Sequence, residues 1–341
     1  MKKFFSSVVF LAAVIGFSFF AMNLVLGGAT GAIPKEGGQF TVEPGWSTGE
    51  IARALRNEGF IRSDYYFRGI TRLMRMDGNL QAGSYHIPAN LSSIKILRLL
   101  ASGKTQLIRV TVPEGLTSRK VAMLFEEAGI TSSEEFLAAT KNKDLLSEFG
   151  IIAPSAEGFL FPDTYMMAKP YPAEKVVRTM IRSFFREMDQ IYPEYKQMPW
   201  SEFYNRLILS SIVEKEYRVD EEAPKIASVF YNRLDRDIAL ESCASVVYVL
   251  TEVLGREHPK RLFYKDLEVD HPYNAYRNKG LPPGPIANAG PVALKATFEP
   301  AQTDYLFFVV QDAQKGTHLF SKNLADHEAG RKRYVETYFP K

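Results

Sequence analysis

The stretch QFTVEPGWSTGEIARALRNEGF, residues 39–60, contains the pattern of a strand, a turn and an amphipathic helix in direct succession. Its first four residues alternate between polar and apolar, a Pro-Gly turn follows, and Ser47 or Thr48 can cap the next helix. Residues 107–125, LIRVTVPEGLTSRKVAMLF, repeat this order in part. Short strands that alternate with helices in this way predict a small α/β module, and the longer helices that begin at residue 157 make the predicted class of the whole chain α+β.

Composition is typical of a folded protein with two or three domains. The 341 residues are 46% hydrophobic and 24% charged, which argues against a disordered chain. The net charge of +3 suits an anionic polymer or a membrane surface, and it gives no indication of a nucleic-acid partner. Cys243 is the only cysteine, so an internal disulfide is excluded. We expect Cys243 to pack as a small apolar residue.

The N-terminus predicts a membrane anchor. A run of 23 uncharged, mostly apolar residues from Phe4 to Leu26 follows two lysines, and this length can span a bilayer. The lysines favour the cytoplasmic side, so the remainder of the chain would be extracytoplasmic. A cleaved signal peptide is the alternative, because the small residues at 27–32 could form a cleavage site. The length of the apolar run favours an uncleaved anchor.

The rest of the chain divides into segments that differ in composition and in predicted secondary structure. Residues 39–104 predict a strand, two helices, a second strand and a third helix, which form a small α/β module. Longer helices and loops rich in proline, glycine and tyrosine begin at residue 157. The predicted segments are a cytoplasmic N-terminus at 1–3, an anchor at 4–26, a linker at 27–38, the module at 39–104, a strand–helix connecting subdomain at 105–156 and a mixed α+β domain at 157–341.

One helix of the last domain carries a candidate general acid. The sequence predicts helices over Glu174–Tyr192, Ser201–Tyr217 and Ala223–Asp235, and a strand over Tyr305–Val310. Glu216 continues the apolar stripe of the second helix, whereas Glu214 faces another way. A carboxyl group at the rim of an apolar face is partly desolvated, which raises its pKa as a general acid requires. The alternative is that Glu-Lys-Glu marks a helix end in solvent.

Two loops predict the walls of a polar ligand site. A proline- and glycine-rich loop over residues 280–290 is rigid, and the loop before it carries two tyrosines whose flat faces could contact sugar rings. Asparagines in both loops could bind hydroxyl groups. A structural loop that packs its own tyrosines is the alternative. The candidate ligand contacts are Tyr273, Asn274, Tyr276 and Asn288.

No metal or cofactor site is predicted. His318, Asp326, His327 and Glu328 lie close in the sequence, but their spacing matches no metal-binding motif. Neither a nucleophile elbow nor a phosphate-binding glycine loop is present in the sequence.

Taken together, the motifs resemble the endolytic murein transglycosylase family, MltG or YceG-like. The resemblance extends over nearly the whole chain, and the combination is far more specific than any single motif. The resembling stretches are Glu157–Tyr165 (EGFLFPDTY), Ser211–Glu216 (SIVEKE), Val229–Leu234 (VFYNRL), Pro272–Tyr276 (PYNAY), Gly280–Ile286 (GLPPGPI), Tyr305–Val309 (YLFFV) and Gly316–Phe320 (GTHLF).

The resemblance implies a single-pass protein of the cytoplasmic (inner) membrane, with a LysM-like module and a catalytic domain in the periplasm or cell wall. It implies cleavage of the β-1,4 bond between N-acetylmuramic acid and N-acetylglucosamine to give 1,6-anhydro ends, inside nascent strands and without a cofactor. Glu216 would be the catalytic acid and base. The implied partners are peptidoglycan strands, the membrane and peptidoglycan synthases. Substrate contacts would come from Glu214, Glu241, Ser245, Tyr273, Asn274, Tyr276, Asn288 and His318.

One segment departs from the family pattern. Where the family carries Leu-Gln-Ser-Asp-Pro-Thr, this chain has Leu-Glu-Ser-Cys-Ala-Ser at residues 240–245. Glu241 adds a carboxylate that could raise the pKa of Glu216, change the substrate preference or weaken activity. Two alternative functions therefore stay open: a non-catalytic peptidoglycan-binding or scaffold protein, and a hydrolase that uses water with Glu241 as the second carboxylate.

Overall fold

The computed structural model describes residues 37–105 and 107–338. Within these residues helices are interspersed with two-stranded sheets, and the predicted α+β fold class is confirmed. The predicted anchor at 4–26 and the linker as far as residue 36 lie outside the described residues. In the described ranges, no helix has the length and apolar character needed to cross a membrane.

The described residues form two compact units. The first comprises residues 37–105 and 107–109 with Ala128–Thr131 and Met166–Pro172, and the second comprises Val110–Glu127, Ser132–Tyr165 and residues 173–338. The boundaries predicted at residues 105 and 157 stay predictions.

The first unit follows the strand and helix order expected for residues 39–104. Strand β1 pairs antiparallel with β2, and Phe40 lies opposite Tyr85 in the register. Ser47 and Glu50 form a capping box at the start of α1, which explains why the helix begins there. Phe40 and Tyr85 are fully buried among the apolar faces of the helices. The elements are β1 (Gly38–Val42), α1 (Thr48–Asn57), α2 (Asp64–Leu73), β2 (Gly83–Ile87) and α3 (Ser93–Ser102).

The remaining elements contain the longer helices. Strands β3 and β4 form the second sheet, and β5 pairs antiparallel with β6 in the third. The helices are α4 (Ser118–Glu127), α5 (Ser133–Thr140), α6 (Lys143–Ser147), α7 (Ala173–Ile191), α8 (Trp200–Val213), α9 (Ala223–Asp235), α10 (Cys243–Tyr248), α11 (Tyr264–Leu267), α12 (Pro291–Phe298) and α13 (Leu324–Tyr338). The strands are β3 (Leu107–Thr111), β4 (Thr164–Ala168), β5 (Phe307–Asp312) and β6 (Thr317–Ser321).

Helix α8 is the central element of the second unit. It packs against α9 and α12, and the residues of its C-terminal half are all buried. Ser211 fastens it to the proline-rich loop, because its hydroxyl accepts a hydrogen bond from the backbone N–H of Ile286 at 2.9 Å. The C-terminal end of α8 is thereby held inside the unit.

The predicted end of α8 at Tyr217 is wrong. The helix ends at Val213, and the next three residues form a turn in which the N–H of Glu216 donates to the Val213 carbonyl at 3.0 Å. Neither glycine nor proline marks this end, so the sequence pattern runs on past it. Glu216 therefore lies on a turn and not on the apolar stripe of a helix.

Candidate active site

Glu216 is a partly buried carboxyl group with two polar neighbours. The Ser242 hydroxyl donates to its Oε1 at 2.7 Å. Burial raises the pKa of Glu216, whereas the Ser242 hydrogen bond and the charge of His318 lower it. The carboxyl group is thus biased toward its neutral form, with partners that stabilise the anion once the proton has left.

His318 is held in place by a second carboxylate. The backbone N–H of His318 donates to both oxygens of Glu222 at 3.1 Å, and its Nδ1 lies 2.8 Å from Glu222 Oε2. His318 is buried, on strand β6. Glu222 therefore orients the imidazole whose charge acts on Glu216.

Tyr276 lies in the same electrostatic environment. Burial raises the pKa of Tyr276, and Cys243 and the charges of Glu216 and Glu241 add to the shift, so its hydroxyl stays protonated. Its Oη is 3.1 Å from Cys243 Sγ. Cys243 is exposed, so the expected packing as a small apolar residue is wrong. Glu241 has a left-handed backbone, with φ of 54°, and its Oε2 pairs with Arg233 at 3.0 Å.

Two further carboxyl groups pack around Gly290. The N–H of Gly290 donates to Glu214 Oε2 at 3.0 Å, and a methyl group at Gly290 would collide with the Glu114 carboxyl. Burial raises the pKa of Glu214 to about 7, and the Glu114 charge adds to this shift. Burial also raises the pKa of Glu114. Between the two glutamates of the turn, Lys215 Nζ donates to the Gly115 carbonyl at 3.1 Å.

Asn288 is buried, and its side chain is fully bonded within the protein. Its Oδ1 accepts from the N–H groups of Gly158 and Leu160, both at 2.9 Å. Its Nδ2 donates to the Leu116 carbonyl at 2.9 Å and to Glu157 Oε1 at 3.0 Å. An amide has two donors and two acceptor positions, so all four are in use. The role of Asn288 in substrate binding stays a prediction.

Asn274 and Ser245 are also buried and brace the tyrosine loop. Asn274 donates to two backbone carbonyls at 2.8 Å and accepts from the Tyr276 N–H at 3.0 Å. Ser245 donates to the Ser242 carbonyl at 2.7 Å and accepts from the Ala275 N–H at 3.1 Å. Both side chains thus hold the loop beside the segment that carries Ser242. Their contact with substrate stays a prediction.

The structure divides the predicted site residues into groups. Two of them belong to the electrostatic environment of Glu216: His318 lowers the pKa of Glu216, and the charge of Glu216 raises the pKa of Tyr276. Tyr273 lines a separate cavity. The sequence interpretation missed Ser242, although it lies inside the segment that departs from the family pattern. It also missed Glu222, which belongs to an acidic run, Asp220–Glu222, of the kind that usually faces solvent.

Fold and site together define a class: an α+β protein with a shielded carboxyl group suited to general acid and base chemistry. Comparison with known proteins narrows this class. The chain belongs to the YceG-like family, whose model matches residues 40–333.

Three relatives illustrate the similarity. An endolytic murein transglycosylase of Bacillus subtilis (strain 168) is 30% identical over 87% of this chain and 84% of its own length. One of Streptococcus pneumoniae serotype 2 is 26% identical over 97% of this chain and 65% of its own length. The crystal structure of a yceG-like protein from Listeria monocytogenes is 30% identical and has a TM-score of 0.57, over 87% of this chain and 99% of that chain.

Proposed function

We propose that this protein is a lytic transglycosylase that cuts the glycan strands of peptidoglycan between N-acetylmuramic acid and N-acetylglucosamine. Family membership and the endolytic murein transglycosylases among its relatives support the reaction class. The observation that carries the mechanism is the shielded Glu216 carboxyl, with Ser242 Oγ at 2.7 Å and His318 close enough to lower its pKa.

Glu216 acts first as a general acid. Burial raises its pKa, which favours the protonated form that the leaving glycosidic oxygen needs. When that proton leaves, the Ser242 hydrogen bond and the electrostatic influence of His318 stabilise the carboxylate. Opposing influences of this kind suit a group that must both give and take a proton.

Glu216 then acts as a base. It removes the proton of the 6-hydroxyl of the same muramic acid residue, and that oxygen attacks the anomeric carbon to close the 1,6-anhydro ring. The nucleophile belongs to the substrate, so the attack gains from proximity and no second carboxylate is required. This agrees with the environment of Glu241, whose carboxylate is bound to Arg233 and half exposed.

Location and accessory modules complete the proposal. The apolar run at residues 4–26 would anchor the protein in the cytoplasmic membrane, with both units extracytoplasmic, where peptidoglycan lies. The β1-α1-α2-β2 order of the first unit supports a LysM-like glycan-binding role. Cutting inside nascent strands beside peptidoglycan synthases would limit strand length.

The test compares full-length wild type with Glu216→Gln on purified sacculi and on nascent glycan strands. Products are identified by mass spectrometry. Loss of general acid and base catalysis is expected to reduce kcat by about 10²- to 10⁴-fold. Glu221→Gln is the matched control, because it makes the same chemical change at an exposed glutamate close by in the chain.

Each product has one interpretation. Anhydro ends from the wild type and from Glu221→Gln, but not from Glu216→Gln, support the mechanism. Reducing ends would mean hydrolysis by water, and no cleavage by any of the three proteins would favour the binding or scaffold protein. Full activity in Glu216→Gln would exclude Glu216 as the acid.

A further inference from the structure

A polar cavity lies in the same unit as Glu216. Its volume is about 180 Å³. Three tyrosines contribute to its wall, together with a buried serine hydroxyl, a carboxyl group and a proline ring. These lining residues are Ser118, Glu157, Tyr204, Tyr248, Tyr273 and Pro285.

Two helices connect the cavity wall with the surroundings of Glu216. Tyr204 lies in the wall, and nine residues of α8 lead from it to Val213, a path of about 14 Å along the helix axis. Helix α10 is a shorter connection of about 8 Å. Cys243 at its start lies 3.1 Å from Tyr276, and Tyr248 at its end packs against Tyr273 with ring centroids 5.0 Å apart. A single sugar ring is too short to occupy both places.

The chemistry of the wall favours a neutral, hydroxyl-rich ligand. Burial raises the pKa of Tyr204 to about 12 and also raises those of Tyr248 and Tyr273, so all three hydroxyls remain neutral donors and acceptors. Aromatic rings with polar tips are the usual lining of a site for an amphipathic ligand. At the rim, the charge of Arg119 is already matched by Glu252, at 3.3 Å.

Ser118 supplies an unused polar group. Ser118 lines the cavity, and its buried Oγ has no hydrogen bond within ordinary distance and angle limits among the described residues. Burial raises the pKa of Glu157 to about 7, and the nearby Ser118 hydroxyl lowers it in part. The Ser118 N–H donates to both oxygens of Glu157, at 3.0 Å each. A hydroxyl has one donor and two acceptor positions, so Ser118 keeps hydrogen-bonding capacity for a ligand in the cavity.

We propose that this cavity is a distal sugar subsite, which holds a neutral N-acetylhexosamine ring of the strand whose bond is cut at Glu216. The identity of that strand rests on the proposed function. A strand that fills both places must extend beyond the sugar ring at the cut. The subsite thus gives a physical reason for cleavage inside a strand instead of at its end.

The test measures binding and not cleavage. The probe is the soluble tetramer of N-acetylglucosamine, which carries neither muramic acid nor peptide, and its affinity for the full-length protein is measured by calorimetry. Ser118→Ala removes one ligand hydrogen bond and is expected to weaken binding by about three- to tenfold. Tyr273→Leu removes an aromatic face and is expected to weaken binding by at least about tenfold.

Ser321→Ala is the matched control. Ser321 Oγ is the other buried serine hydroxyl without a hydrogen bond among the described residues, and it lies on β6, outside the cavity wall. Ser321→Ala should unfold at or above the wild-type temperature, and Ser118→Ala should change it little, because it loses only a weak interaction with Glu157. A selective loss of affinity in Ser118→Ala therefore reports on the ligand and not on folding.

Several results would overturn the subsite. The first is that the wild type does not bind the tetramer, and the second is that all variants bind it with equal affinity. The third is that the cavity binds a short peptide with a free carboxylate and that Lys141→Ala, at the cavity rim, abolishes this binding. The proposed function is judged separately by the anhydro products. If the protein cuts strands but all variants bind the tetramer equally well, the proposed function stands and the subsite is refuted. If the variants lose tetramer binding but no strands are cut, the subsite stands and the proposed function is refuted.

Discussion

Replacement of Asn288 by alanine is expected to destabilise the second unit strongly. The substitution removes four hydrogen bonds of 2.9 to 3.0 Å and leaves the N–H groups of Gly158 and Leu160 without these partners in a fully buried place. Each buried hydrogen bond contributes about 1 kcal/mol, and unpaired buried groups add to the loss, so Asn288→Ala should cost about 3–5 kcal/mol. For a unit of this size the melting temperature should fall by roughly 10 °C.

Urea and thermal unfolding of the full-length protein measure this effect. The control is Asn278→Ala, because Asn278 is exposed although its amide also donates to two carbonyls, and it should cost less than about 1 kcal/mol. Asn288→Asp places a second carboxyl group beside Glu157, so its instability should grow as the pH rises. An Asn288→Ala protein that unfolds like the wild type but no longer binds glycan would refute this reasoning and make Asn288 a substrate ligand.

The native state holds the proton of Glu214 more tightly than the unfolded chain, because burial raises its pKa from 4.5 to about 7. This stabilisation is complete below about pH 4.5 and is lost as the pH rises through about 7. In Glu214→Gln, the free energy of unfolding measured with urea should therefore vary less with pH over that interval, by on the order of 1–2 kcal/mol. An unchanged pH dependence would contradict the raised pKa of Glu214. Gly158→Ala should lower the melting temperature more than Gly150→Ala. Both positions have positive φ, but only at Gly158 would a Cβ collide with a proline ring. Equal decreases in melting temperature would exclude that collision. Glu241→Gln should change the rate of anhydro-product formation by less than about twofold, because the carboxylate is half exposed and already paired with Arg233; a larger change would mean that its charge acts on the catalytic acid.

Elements with local signals could be predicted from the sequence. The helix after Ser47 begins where its capping box lies, and the predicted helix at Ala223–Asp235 has the observed bounds. The end of α8 could not be predicted in this way. Its terminal turn is held by Lys215, which donates to the carbonyl of a residue 100 positions away, and no local pattern encodes such a contact.

The candidate site shows the same division. Glu216 could be selected from an apolar run and His318 from a family motif. The influence of His318 on the pKa of Glu216, however, depends on tertiary contacts. Ser242 is 26 residues from Glu216, and Glu222 is 96 residues from His318. Serine and glutamate are common surface residues, so neither was distinctive before the fold brought these pairs together.

The three consecutive side chains of the Glu214–Glu216 turn are each fastened to a different part of the chain. Glu214 binds the amide of Gly290, Lys215 binds the carbonyl of Gly115, and Glu216 binds Ser242. The proposed catalytic carboxyl group is therefore in place only when three distant segments have folded around it. A chain that crosses a membrane unfolded would therefore carry no cutting activity on the way.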